Sequence, residues 1–131
     1  MIFEKTGCAD CEDFHNDVLA LEEVRERLGK FEVARLDADD DKSGVRLPNG
    51  KRATPAAWFR ETNFTRVPAL MFFDEKGNNV LETDALVRRQ RMLNSVNFVL
   101  ERAYEKDWTY QRFARSKGIE RNLKKQKEKN D

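Results

Sequence analysis

Residues 1–14 read Met1-Ile2-Phe3-Glu4-Lys5-Thr6-Gly7-Cys8-Ala9-Asp10-Cys11-Glu12-Asp13-Phe14. The apolar Met1-Ile2-Phe3 has the look of a short strand, and Thr6-Gly7 is a turn signal that ends it. From Cys11 the pattern becomes helical. Phe14, Val18, Leu21, Val24 and Leu28 fall on a stripe of period near 3.6, and Gly29 stops it, so one helix is expected from Cys11 to Leu28. The two cysteines, three residues apart, thus sit at a strand-to-helix junction.

Working outward, Phe31–Asp37 (FEVARLD) alternates and predicts a strand with Phe31, Val33 and Arg35 on one face. Residues 39–53 are polar, contain Pro48-Asn49-Gly50, and read as a long surface loop. Thr54-Pro55 predicts a helix start, with Thr as the N-cap and Pro at the first helical position, continuing through Trp58 and Phe59 to about Thr62. Val67–Asp74 (VPALMFFD) is a continuous apolar run of strand length and suits a strand buried on both faces. Val80–Thr83 returns after the Lys76-Gly77-Asn78 turn. A helix is expected from Arg88 to Lys106, then a last one capped by Asp107 and holding Trp108, Phe113 and Ile119. A helix joins the first two strands, which should therefore be parallel; a tight turn joins the last two, which should be antiparallel. The fold class is α/β: a mixed four-stranded sheet flanked by helices, with an extra C-terminal helix. One domain over residues 1–120 is expected, followed by a charged, frayed or disordered tail over 121–131.

The 131 residues suit a single domain. Lys+Arg number 25 against Asp+Glu 24, so no global field directs the chain to nucleic acid or an anionic membrane. No apolar run reaches the ~18 residues of a membrane-spanning helix. The opening residues are too short for a secretory signal core, and a leader removed from a longer precursor is left open. Two cysteines are too few for a disulfide-stapled scaffold.

At a helix start, unpaired backbone N–H groups and a partial positive charge favour a thiolate, the nucleophilic form of cysteine. Cys8 lies at the helix mouth, and Cys11, one turn in, should be more buried. That order suits attack by Cys8 and resolution by Cys11. Ala9 and Asp10 modulate the motif: the carboxylate of Asp10 opposes a neighbouring thiolate, so Cys8 is expected to be a weaker acid than in strongly oxidising proteins. Haem attachment would need His directly after Cys11, where Glu12 stands. A structural zinc site needs four ligands, and only His15 is near. A purely structural disulfide would close a loop too small to stabilise much, since the entropic gain grows with loop length; it stays as the competing reading. His15 shares a helical face with both cysteines but stands two turns, about 10 Å, from Cys8, so a structural role is expected. Trp58 and Phe59 read as core. Arg46, Lys51 and Arg52 make the long loop basic, as a solvated loop commonly is.

Taken together, CADC after a strand, Val67-Pro68 opening a later buried strand, and Phe73-Asp74-Glu75-Lys76-Gly77 beyond it resemble the thioredoxin-like superfamily over about residues 1–104. Phe3-Glu4, Phe14-His15, and Tyr104 with Tyr110-Gln111-Arg112-Phe113 are similar to the SoxW-type periplasmic thioredoxins of bacteria. The resemblance implies a thiol–disulfide oxidoreductase acting on protein substrates, more a reductant or electron relay than an oxidase, served by an upstream reductant. It needs no metal or organic cofactor, makes no membrane insertion or nucleic-acid contact, and works as a monomer. It implies a periplasmic setting, although two cysteines fit a cytosol equally. Cys8 would attack and Cys11 resolve. Pro68 would be a cis-proline facing the cysteines, and Val67 would offer its backbone to an extended substrate; a trans proline starting an edge strand is the competing reading. The other functional class is a protein-binding module whose CADC is structural or vestigial.

The departures from thioredoxin are specific. Gly7 stands where Trp precedes the motif, and Ala9-Asp10 replace Gly-Pro inside it. Ile2 stands where a buried Asp relays protons, and Glu4 is expected to be a solvated strand-end residue. The usual preceding strand and helix have no counterpart before Met1, and no glycine matches around Asp84-Ala85-Leu86. An unpaired edge at Phe31–Asp37 is expected to be covered, with Trp108 and Phe113 packed on the domain.

Overall fold

The uninterrupted apolar run at residues 67–74 becomes the centre of the sheet because both its faces are covered. In the computed structural model, which describes residues 1–84 and 88–130, Ala69–Phe73 forms β5. It lies between β1 (Ile2–Glu4) and β6 (Asn79–Thr83), and β2 (Arg35–Asp37) is the edge strand beyond β1, giving the order β2-β1-β5-β6. β1 and β2 run parallel with Phe3 opposite Leu36. The β1–β5 and β5–β6 pairs are antiparallel, with Phe3 opposite Ala69 and Phe72 opposite Leu81. The sheet is mixed and four-stranded, as the connections predict. The expected departure around Asp84-Ala85-Leu86 falls partly outside the described residues.

Strand alternation divides the core in two. Ile2, Leu70 and Phe72 face one side, where they meet Phe14, Val18, Val24, Met92, Val96 and Phe98. Phe3, Ala69 and Met71 face the other, against Ala38 and Trp58, with Phe59 partly buried beside them. Phe3 sits at the centre of that second layer, edge-on to Trp58 at 5.4 Å and to Phe59 at 5.3 Å. Both aromatics are core, as their sequence context indicates.

The helix expected over residues 11–28 is broken. It comprises α1 (Ala9–Phe14), a π-helical stretch (His15–Leu19) and α2 (Glu22–Leu28), with Leu21 extended between the last two. A straight helix of that length would run about 27 Å beside a β5 of about 17 Å. The break turns the chain back, so that Phe14, Val18 and Val24 all reach one core. The strand expected over 31–37 is only three residues long, because β1 offers just three partners. Phe31 packs on Phe72 at 5.9 Å instead, and Val33 is 47% exposed, not on a buried face.

Within the polar segment 39–53, β3 (Val45–Arg46) and β4 (Arg52–Ala53) pair as a small hairpin closed at Pro48-Asn49-Gly50, where the Asn49 side chain accepts from the Lys51 N–H at 2.9 Å. Arg46, Lys51 and Arg52 are exposed on it. α3 (Pro55–Glu61) begins as predicted: Thr54 Oγ1 accepts from the Ala57 N–H at 3.1 Å, and Pro55 occupies the first turn.

α4 (Arg89–Leu100) stops well short of Lys106. Arg102 is left-handed (φ +54°), pairs with Glu75 and Glu105, and holds both carboxyls below their usual range by hydrogen bonding to them. A 3₁₀ turn (Ala103–Lys106) follows. Asp107 is also left-handed (φ +60°) and does not cap the last helix; Thr109 does, its Oγ1 accepting from the Arg112 N–H at 3.1 Å. α5 (Tyr110–Asn130) is one unbroken helix, so residues 121–130 continue it where a frayed or disordered tail was expected. Trp108 and Phe113 do pack on the domain. Phe113 packs on Phe98 of α4 and Trp108 on Phe113, not on the β2 edge, which among the described residues pairs only with β1.

Candidate redox site

β1 ends at Glu4, and Lys5-Thr6-Gly7 carries the chain over the end of the sheet. Gly7 has φ +73°, a conformation glycine adopts without the Cβ penalty other residues incur. The turn delivers Cys8 as the N-cap of α1, with extended backbone (φ −92°, ψ 106°), and its Sγ accepts from the Cys11 N–H at 3.0 Å. A sulfur in the place of a capping oxygen satisfies one of the donors a helix start leaves free. Cys8 and Cys11 are joined as a disulfide with their Cα atoms 5.2 Å apart.

The two sulfurs differ in access as the helical spacing implies. Cys8 is half-buried, whereas Cys11 is 5% exposed and packs beneath it. Ala9 and Asp10, between them, are both exposed. Across the sheet end, the Val67–Pro68 peptide bond is cis. Pro68 is buried, Val67 is half-buried, and the Val67 carbonyl oxygen lies 3.8 Å from Cys8 Sγ. Antiparallel pairing of β1 with β5 makes this meeting inevitable, because the end of β1 and the start of β5 fall at the same edge. The structure thus brings together Cys8, Cys11, Val67 and Pro68.

Glu4 corrects the sequence-based expectation. Its side chain is only 13% exposed and is turned against a histidine and an arginine, pairing with His15 through Oε1 and with Arg35 through Oε2 at 3.0 Å. The sequence places Arg35 only on a strand face with Phe31 and Val33; its pairing with Glu4 arises from a neighbouring strand. His15 does share the face of Cys11. Glu4, Cys8, Cys11, Glu12, His15 and Arg35 line one cleft of about 260 Å³ beside the disulfide. A larger groove, about 620 Å³, lies at the opposite end of the sheet among Phe31, Val33, Phe72 and Tyr104, and borders neither cysteine.

Among the described residues, no group of three or more His, Cys, Asp or Glu side chains is placed to hold a metal ion, and no helix is long and apolar enough to cross a membrane. The chemistry the site can perform is that of sulfur: opening the Cys8–Cys11 bond with two electrons and closing it again.

Comparison with curated proteins and with solved structures finds no match for this chain. Residues 1–100 match the family model described as the thioredoxin-like domain, and the chain belongs to that family.

Proposed function

We propose that the protein is a thiol–disulfide oxidoreductase that reduces disulfides of protein substrates, or relays electrons between protein dithiols. The observation that carries this reading is the placement of Cys8 Sγ, 3.0 Å from a backbone N–H that stabilises developing thiolate charge and 3.8 Å from the Val67 carbonyl at the surface where a substrate backbone could align. In the reduced protein the Cys8 thiolate attacks one sulfur of a substrate disulfide, and the other substrate sulfur leaves as a thiolate that takes a proton from water. Cys11 then attacks Cys8 Sγ, the mixed disulfide breaks, and the substrate departs with both sulfurs reduced. The Cys8–Cys11 disulfide that remains takes two electrons from an upstream dithiol reductant to restart the cycle.

Val67 offers backbone groups for extended pairing with the substrate chain, as in other cases of strand addition, and Pro68 presents a buried wall with no N–H. Ala9 and Asp10, exposed on the motif, face the incoming partner. The direction towards reduction rests on Asp10, whose negative charge beside the motif disfavours the very stable thiolate of strong oxidants. A periplasmic setting with a membrane-linked donor rests on the similarity of Phe14-His15 and Tyr110-Gln111-Arg112-Phe113 to SoxW-type thioredoxins.

The test is reduction of insulin disulfides with dithiothreitol as donor, together with the potential of the Cys8–Cys11 pair in glutathione buffers. Turnover that disappears in Cys8→Ser is expected, with a potential nearer the thioredoxin value of about −270 mV than the strongly oxidising −120 mV or so. Unchanged activity in Cys8→Ser would leave a protein-binding module in its place.

A further inference from the structure

We propose that His15 is the base that takes the proton from Cys11 when the mixed disulfide is resolved, and that Glu4 positions its ring for this. The proposal rests on the oxidoreductase reading above. It starts from a problem in the geometry. Cys11 is 5% exposed, and burial in apolar surroundings disfavours a thiolate. Cys8 Sγ has the Cys11 N–H to help it; Cys11 Sγ has no such hydrogen bond among the described residues. Resolution therefore needs a proton acceptor within reach.

His15, the single histidine of the chain, stands one turn below Cys11, and its backbone N–H bonds the Cys11 carbonyl. Side chains four apart on a helix have Cβ atoms about 5–6 Å apart and lean towards the N-terminus, so His15 and Cys11 are neighbours on one helix face. Both residues border the same cleft of about 260 Å³. A water's share of liquid volume is about 30 Å³, so the cleft has room for a bridging water.

The partners of the ring decide which nitrogen works. Nε2 meets Oε1 of Glu4. An ionised carboxylate only accepts, so Nε2 carries the hydrogen and Nδ1 is left as the free basic nitrogen. Glu4 itself is not available as the base, because its other oxygen is held by Arg35 at 3.0 Å. The remaining charges around the cleft are Glu12 on α1 and Lys5, which is drawn towards Asp39 at 3.7 Å. Around the ring stand the carboxylates of Glu4 and Glu12 and the cations Arg35 and Lys5, with Glu4 and Arg35 paired to each other.

The step balances without any further reactant. With substrate held on Cys8, the Cys11 S–H proton passes to His15 Nδ1, directly or through water. The Cys11 thiolate attacks Cys8 Sγ, the bond from Cys8 to the substrate sulfur breaks, and the departing thiolate takes the proton back from the imidazolium.

The experiment mixes the reduced protein with excess 5,5′-dithiobis(2-nitrobenzoate) in stopped flow. The first equivalent of chromophore reports attack by Cys8, and the second reports resolution by Cys11. In the wild type the second phase should show a pH limb that His15→Gln removes. His15→Gln should leave the first phase within about 2-fold and slow the second about 10- to 30-fold at pH 7, because a thiol of pKa about 8.5 is only about 3% thiolate there. Its pH profile should then rise like that of an unassisted thiol. Glu4→Gln, which keeps a hydrogen-bond acceptor but no charge, should shift the wild-type limb to lower pH. Added imidazole should restore the second phase in His15→Ala, which a merely structural role would not allow. A second phase in His15→Gln with wild-type rate and pH profile overturns the proposal while leaving the oxidoreductase reading standing. A wild type that releases only one equivalent sinks that reading, and this step with it.

Discussion

Phe113→Ala tests whether the C-terminal helix is part of the folded domain or an appendage to it. Phe113 is 5% exposed, edge-on to Phe98 of α4 at 5.5 Å and to Trp108 at 6.5 Å, with Lys117 Nζ 5.3 Å from its ring centroid. Truncating such a ring removes the transfer free energy of its buried carbons and leaves a cavity, and core Phe→Ala changes cost about 3–5 kcal/mol. Phe113 lies where two helices meet, not between sheet and helix, so neighbours can partly close the gap, and about 3–4 kcal/mol is the figure to expect. Unfolding entropy near 2.1 cal/mol/K per residue gives about 0.28 kcal/mol/K for a chain of this length. The melting temperature should then fall by about 11–14 °C. The control is Leu123→Ala on the same helix, which is 60% exposed and should move it by less than about 2 °C. Urea denaturation followed by circular dichroism and Trp fluorescence would read both changes. Equal midpoints for Phe113→Ala and wild type would show that α5 contributes nothing to the stability of the domain and that its packing on Phe98 is energetically empty.

Two further outcomes follow from the geometry. After gentle reduction, iodoacetamide should modify Cys8 well before Cys11, because Cys8 is half-buried and Cys11 nearly inaccessible; peptide mapping that found Cys11 labelled first would reverse their assigned roles. Asp74→Asn should flatten the acid limb of the stability curve. Hydrogen bonds from the Asn78 side chain and backbone, and then from the Lys76 N–H, hold the Asp74 carboxyl below its usual range. A folded-state pKa below the unfolded one stabilises at neutral pH and is lost as pH falls below about 4, so wild type should lose more stability than the variant between pH 5 and pH 2 in thermal melts; parallel curves would refute it.

What the sequence made legible was whatever one element carries within itself. The continuous run VPALMFF announces a central strand, Thr54-Pro55 announces a helix start, and the apolar stripes mark the core faces. All appear where expected, because local chemistry and burial agree there. Misplaced boundaries came where partner length overruled propensity. FEVARLD has strand composition over seven residues, yet only Arg35–Asp37 pairs, since β1 is three residues long. The single stripe from Phe14 to Leu28 hides a break that the sheet's short span imposes. Asp107 has the chemistry of a cap but sits in a left-handed turn, and Thr109, two residues on, takes the role.

At the site, Cys8 and Cys11 were legible from their motif at a strand–helix junction, and Val67 and Pro68 were named through the resemblance to the thioredoxin-like superfamily; the antiparallel β1–β5 pairing is what brings all four together. Glu4 could not be read so directly, although a simple parity rule reaches it. Side chains alternate along a strand, so Glu4 points to the same face as Ile2. Ile2 lies in the core layer with Phe14 and Val18, which means that face is the one covered by α1 and the π-helical stretch after it. A carboxylate there cannot stay fully solvated, and a buried charge requires partners. The parallel register, Ile2 opposite Arg35 and Glu4 opposite Asp37, places Arg35 on the same face one step diagonally from Glu4. His15, one turn beyond Cys11, arrives from the helix above. Strand parity, strand register and helix spacing together thus specify an acid held between an arginine and a histidine next to a buried cysteine. None of the three does so alone, which is why Glu4 looks, along the chain, like one more charged residue at a strand end.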